Sequence, residues 1–131
     1  MIIQQISVFL ENRVGRSAEV AKTLAAANID IQAYNISESN DFGVFRLIVS
    51  DTEAAANALK KAGLAVSLTP VVSATCPNTP GSLLKILDVL EKKSISVEYI
   101  YSYIHGDLNQ AIIRTKDTNV CQEALIEAGI A

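Results

Sequence analysis

The feature that most limits what this chain can fold into is that it repeats itself. Displaced by about 66 residues, its two halves align without a gap, Ser7 falling on Ser73, Asn12 on Asn78, Gly15 on Gly81, Leu24 on Leu90 and Ile29 on Ile95. Further along, Asp41 meets Asp107, Asp51-Thr52 meets Asp117-Thr118, Ala58-Leu59 meets Ala124-Leu125, and Ala62-Gly63 meets Ala128-Gly129. These roughly a dozen identities gather at the turn and cap residues that end elements, where a duplicated unit has to keep its chemistry.

Each unit can therefore be read twice. Ile2 to Leu10 and Val71 to Cys76 have the β-branched character of strands. A glycine turn follows in each copy, Asn12-Arg13-Val14-Gly15 and Asn78-Thr79-Pro80-Gly81, and Pro80 suits a helix entry because its missing N–H would be unpaired there anyway. The helix after the second turn places Leu83, Ile86, Leu87 and Leu90 on one stripe, with Lys85, Asp88, Glu91, Lys92 and Lys93 mainly opposite; Val20, Ala21 and Leu24 form a weaker stripe in the first copy. Strands begin at Ile29-Asp30-Ile31 and Ile95-Ser96-Val97, and the pairs Asn40-Asp41 and Gly106-Asp107 turn the chain into the next strand. There Phe45, Leu47 and Val49 alternate with Val44, Arg46 and Ile48, making one face apolar. Asp51 and Asp117 are poised to cap second helices that end at Gly63 and Gly129.

After Gly63 the chain continues through Leu64-Ala65-Val66-Ser67-Leu68 as a fourth strand, whereas after Gly129 there is no room for one. The expected fold class is α+β: a duplicated ferredoxin-like βαββαβ sandwich of antiparallel sheets with helices on one face, the second copy lacking its last strand. The expected domains are 1–69 and 70–131. Only Thr69 and Pro70 separate strand four of the first from strand one of the second, which predicts a rigid body without a flexible linker. Aromatic residues make up 5% of the chain, so the core has to be built from Ala, Val, Ile and Leu. Units this small bury little surface and leave sheet edges and one face open, which predicts at least a homodimer.

The formal charge of -3 offers no basic footprint for nucleic acid or an anionic membrane. No apolar run approaches the roughly 18 residues that span a bilayer, and the start Met1-Ile2-Ile3-Gln4-Gln5 does not read as a signal peptide, so a cytoplasmic protein is expected. Cys76 and Cys121, with the single histidine His105, form no zinc-spaced cluster; both cysteines read as small hydrophobes, and no metal or cofactor is expected.

The ferredoxin-like plan hosts many functions, so the site has to make its own case. The turn after the first strand reads Leu10-Glu11-Asn12-Arg13-Val14-Gly15-Arg16-Ser17 in one copy and Cys76-Pro77-Asn78-Thr79-Pro80-Gly81-Ser82-Leu83 in the other. This resembles the ACT domain, the amino-acid-sensing module of metabolic enzymes, whose first turn carries an Asn or Asp and then Pro-Gly before the helix. Asn78, Pro80 and Gly81 match that pattern; the first copy departs from it with Val14 in place of the proline. The resemblance covers essentially the whole chain. It implies a ligand held at an inter-domain or inter-subunit interface by this turn together with the start of strand two from a neighbouring domain: Asn12, Gly15 and Asp30 in one copy, Asn78, Gly81 and Ser96 in the other.

The chemistry agrees. An amino acid offers a carboxylate to the unpaired N–H groups of a helix start and an ammonium to Asp30, while Asn12 or Asn78 donates or accepts. Gly15 and Gly81 would let a ligand approach the backbone. Leu10 and Val14 leave room for an apolar or aromatic ligand side chain, with Cys76 and Pro80 in the corresponding places, and Arg13 and Arg16 add possible carboxylate partners. The same glycines also serve the turn itself, and the asparagines serve as helix caps. Because Asp30 stands where the second copy has Ser96, the first copy is the favoured binding site and the second is left to assembly.

His105 sits at a hairpin tip without a catalytic partner, and Tyr99, Tyr101 and Tyr103 alternate on one strand face without the basic residues of a base-stacking platform. No phosphate loop, nucleophile arrangement or catalytic carboxylate pair is present, which disfavours an acylphosphatase-type hydrolase. The sequence therefore points to a non-catalytic regulatory protein that binds a free amino acid and couples it to its oligomeric state or to a metabolic enzyme partner. A ligand-free protein–protein interaction module of the same fold is the alternative.

Overall fold

The computed structural model describes every residue except Asn40 and Ala131, so the expected turn at Asn40-Asp41 lies partly outside the described residues. The elements run β1 (Ile2–Glu11), α1 (Arg16–Ala26), β2 (Ile31–Ser39), β3 (Phe42–Val49), α2 (Thr52–Lys61), β4 (Ala65–Pro77), α3 (Ser82–Lys92), β5 (Val97–His105), β6 (Leu108–Thr115) and α4 (Thr118–Glu127). They form two compact units, one of Gln4–Thr69 and one of Met1–Ile3 with Pro70–Ala131. β4 is unbroken across Thr69 and Pro70, so the short junction read from the sequence is a continuous strand.

In the unit Gln4–Thr69, β3 pairs antiparallel with β1 on one side, Ile6 opposite Leu47, and with β2 on the other, Tyr34 opposite Leu47. In the other unit β6 occupies the same central place, with Val72 of β4 opposite Ile113 and Ile100 of β5 opposite Ile113. The register shift between Ile31 and Ala33 recurs between Val97 and Tyr99. The repeat therefore extends to the irregularities.

Identical capping devices explain why the helices start and stop in step. The Asp51 carboxylate accepts from the Ala54 amide and the Asp117 carboxylate from the Val120 amide, both at 3.1 Å, as the sequence indicated. At the far ends Leu64 N–H donates to the Leu59 carbonyl and Ile130 N–H to the Leu125 carbonyl, each across a glycine of positive φ, Gly63 at +82° and Gly129 at +76°. The first helices of the two copies use the same closing geometry with non-glycine residues, Asn28 at φ +56° and Ser94 at +57°.

The first unit's core gathers Ile6, Val8, Leu24, Phe45, Leu47 and Leu59, and the second's gathers Val72, Ile86, Leu90, Ile113 and Leu125, an aliphatic composition as anticipated. The predicted stripe on α3 is narrower than expected: Ile86 and Leu90 are buried, but Leu83 is half-exposed and lines a cavity. Similarly α1 buries Val20 and Leu24 and leaves Ala21 exposed.

In the second unit the start of the chain lies beside β4. Ser73 N–H donates to the Met1 carbonyl at 2.7 Å, the Met1 ammonium donates to the Ser73 carbonyl at 2.9 Å, and Ile2 packs against the second core. No strand follows α4 among the described residues.

Candidate functional site

The two Asn-x-x-Gly turns are built alike. Asn12 N–H donates to the Asp41 carbonyl and Asn78 N–H to the Asp107 carbonyl, both at 2.9 Å, which ties each turn to the hairpin of its own unit. Gly15 and Gly81 then reverse the chain at φ +93° and +89° and stand at the helix starts, where no side-chain cap is made. A Cβ at either glycine would meet nothing within 4 Å, so it is the dihedral angle that requires glycine there. The asparagines do not act as side-chain caps; the Arg16 and Ser82 amides donate back to the Arg13 and Thr79 carbonyls at 3.4 and 3.3 Å, and the next two amides of α1 and α3 are the ones left for water or an anion.

Behind each turn lies a cavity. In the first unit it measures about 110 Å³ and brings together Leu10, Asn12, Arg13 and Arg16 with Glu11 and Glu38. Its polar groups are largely engaged with one another. The Asn12 side-chain amide donates to a Glu38 carboxylate oxygen at 2.6 Å, and the Arg16 guanidinium meets Glu19 at 2.8 Å and Glu11 at 3.8 Å. The Arg16 Nε is buried without a hydrogen-bond partner among the described residues.

The corresponding cavity of the second unit measures about 260 Å³ and is lined by Cys76, Asn78, Gly81, Ser82, Leu83, Ile86, Ile100, Tyr101, Ser102, Asn109 and Ala111 among others. Among the described residues no charged side chain lines it. The Asn109 Oδ1 is buried and lacks a hydrogen-bond partner among the described residues, a deficit of about 1–3 kcal/mol if nothing fills it. Asn109 has no part in the sequence reading of the site, and Tyr101 enters that reading only as one of three tyrosines alternating on a strand face. The repeat held their signal, because Asn109 aligns with Gly43 and Tyr101 with Asn35, two positions where the copies differ in size and polarity. Tyr101 also stacks on Tyr99, ring centroids 6.5 Å apart and planes 18° from parallel.

The other expected site residues fall elsewhere. Pro80 lines a neighbouring, larger hollow of about 520 Å³ on the same unit, which shares Cys76, Thr79, Ser82 and Ile86 with the cavity above and is bordered by Lys85, Lys92 and Gly129. Val14 is fully exposed. Asp30 and Ser96 precede β2 and β5, are exposed, and line none of these cavities; the Asp30 backbone is held by Ser50 through two 3.0 Å bonds. Of the cysteines, Cys76 lines the second unit's cavity, while Cys121 is fully buried, its thiol pushed up by desolvation that the nearby Thr115 hydroxyl and the chain's N-terminal ammonium partly oppose. No group of three or more His, Cys, Asp or Glu residues suited to a metal occurs among the described residues, and none of their helices is long and apolar enough to cross a membrane.

Two ferredoxin-like units with the same glycine turn at the same place define a class, the tandem ferredoxin-like module. Residues 1–131 match the family model described as ACT domain pair, and the chain belongs to that family. It is similar to the crystal structure of protein BT0572 from Bacteroides thetaiotaomicron, at 42% identity and a TM-score of 0.92 over 99% of this chain and 90% of that one. At the level of fold it is similar to the ligand-free regulatory subunit of aspartate kinase from Thermus thermophilus, with 15% identity, a TM-score of 0.67, and 98% and 95% of the two chains covered. It is also similar to E. coli aspartokinase III in complex with lysine and aspartate, with 17% identity and a TM-score of 0.53 over 96% of this chain and 32% of that one. Comparison with curated proteins gives no match.

Proposed function

We propose that this protein is an amino-acid sensor: a free amino acid binds at the turn after the first strand of a repeat, against a second copy of the chain, and its occupancy biases the dimer or a metabolic enzyme partner. The observation that carries the reading is the cavity of about 260 Å³ directly behind the Asn78-to-Gly81 turn. It lies just below the roughly 300–1,000 Å³ of drug-sized sites, a scale suited to a single small molecule. The uncapped start of α3 supplies N–H donors for a carboxylate and the Asn109 Oδ1 supplies an acceptor for an ammonium, the two groups every amino acid carries. The aspartokinase resolved with lysine and aspartate shares the fold and lends the reading its ligand class. Ser96, or Asp30 in the first copy, would come to the ligand from the neighbouring copy.

Such a sensor works only if the ligand binds one arrangement better than another. Isothermal titration against the twenty amino acids should give saturable heat with at least one of them, and a flat response to all twenty would remove the hypothesis.

A second reading, a ligand-free interaction module, has its own support. Tyr34 and Ile36, two apart on one face of β2, are 69% and 51% exposed, an apolar surface of the kind that marks protein contacts. It predicts a partner complex that added amino acids leave unchanged.

A further inference from the structure

We infer that the two copies divide the work: the second holds the ligand, and the first is closed by carboxylates of its own. This rests on the amino-acid-binding reading above and fixes where in the chain that binding occurs. In the first copy the amide of Asn12 is engaged by Glu38, and Arg16, reaching over the turn, is held by Glu11 and Glu19. The repeat shows what became of each partner. Glu38 aligns with Ile104, Glu11 with Pro77, Glu19 with Lys85, and Arg16 with Ser82.

Every internal anion of the first turn is thus replaced in the second by a residue that is apolar or cationic, and the large cation is replaced by a hydroxyl. The consequence is visible in the geometry. The Asn78 side chain has no hydrogen-bond partner among the described residues, the Asn109 acceptor is buried and unmatched, and the cavity is more than twice the volume of its counterpart, about 260 against about 110 Å³. What the first copy supplies from its own chain, the second takes from solution: a carboxylate. Because no charged side chain among the described residues lines the second cavity, the ligand is an amino acid whose own side chain is neutral.

Two surface substitutions test this by giving the second copy what the first already has. Ile104→Glu restores the carboxylate opposite Asn78, and Ser82→Arg restores the cation over the turn. In isothermal titration with the neutral amino acids, the wild-type chain should bind one ligand per chain, and each substitution should abolish the saturable heat while circular dichroism and Tm stay at wild-type values. The converse pair Arg16→Ser with Glu38→Ile should leave binding by the second copy intact. Binding of two ligands per chain, retention of full affinity by both Ser82→Arg and Ile104→Glu, or loss of binding in the Arg16/Glu38 pair alone would overturn the division of labour and leave the sensor reading standing. A wild-type chain that binds none of the twenty amino acids would instead remove the sensor reading itself.

Discussion

Single residues carry much of this fold's punctuation, and their legibility depended on how local their physics is. Asp51 and Asp117 could be recognised as caps because a capping bond spans three residues, and each carboxylate does accept from the amide three positions on. Asn28 and Ser94 went unread as helix ends because serine and asparagine occur in many settings, and only the backbone shows both at positive φ. Gly81, at φ +89° with open space around it, should tolerate alanine sterically but not conformationally; Gly81→Ala is expected to lower stability by roughly 1–2 kcal/mol in urea denaturation. An unchanged midpoint would show that the turn relaxes. For Cys121, burial raises the folded-state pKa above the unfolded one, so the protonated thiol's contribution to stability is complete below the unfolded pKa and declines as pH rises through the folded one. Stability of the wild type relative to Cys121→Ala should therefore fall above about pH 8.5, and parallel pH profiles for the two proteins would contradict the assignment.

At the scale of elements, the repeat, the caps and hydrophobic patterning located the helices and strands, although the two strands expected on either side of Thr69 and Pro70 are one, and the faces were drawn too wide. Leu83 belonged to the α3 stripe by spacing, yet it is half-exposed and borders a cavity. The pairing of the chain's start with β4 was not legible in the sequence. Pairing Met1 with Ser73 joins residues far apart in the chain, and no local signal announces such a contact. Removal of residues 1–3 should free the Ser73 amide and expose the second core beside Ile2. The expected outcome is faster hydrogen exchange at Ser73 and a lower Tm, whereas full protection at Ser73 in the truncated protein would show that the pairing contributes nothing.

For the molecule as a whole, the edge strands β2 and β5 and the exposed Tyr34, Ile36 and Phe42 lead us to expect a dimer in solution. Light scattering should report twice the 14.0 kDa chain mass at micromolar concentration, with the dissociation constant shifted by the ligand that titration identifies; a monomer indifferent to ligand would contradict the coupling. The sequence by itself determined the duplication, the order and type of the elements, the caps at Asp51 and Asp117, and the family, because periodicity and capping are short-range and a repeat lets each be read twice. It also marked the Asn-x-x-Gly turns as the place to look. Only the tertiary structure shows that the cavity behind the second turn is the larger of the two, about 260 against about 110 Å³. Asp30 drew attention to the first copy, but it is exposed and lines none of the cavities, while Glu11, Glu19 and Glu38 close in on Asn12 and Arg16 from three different elements. Whether a polar group is satisfied or waiting for a partner depends on side chains that converge from distant parts of the chain, and that convergence exists only once the backbone is folded.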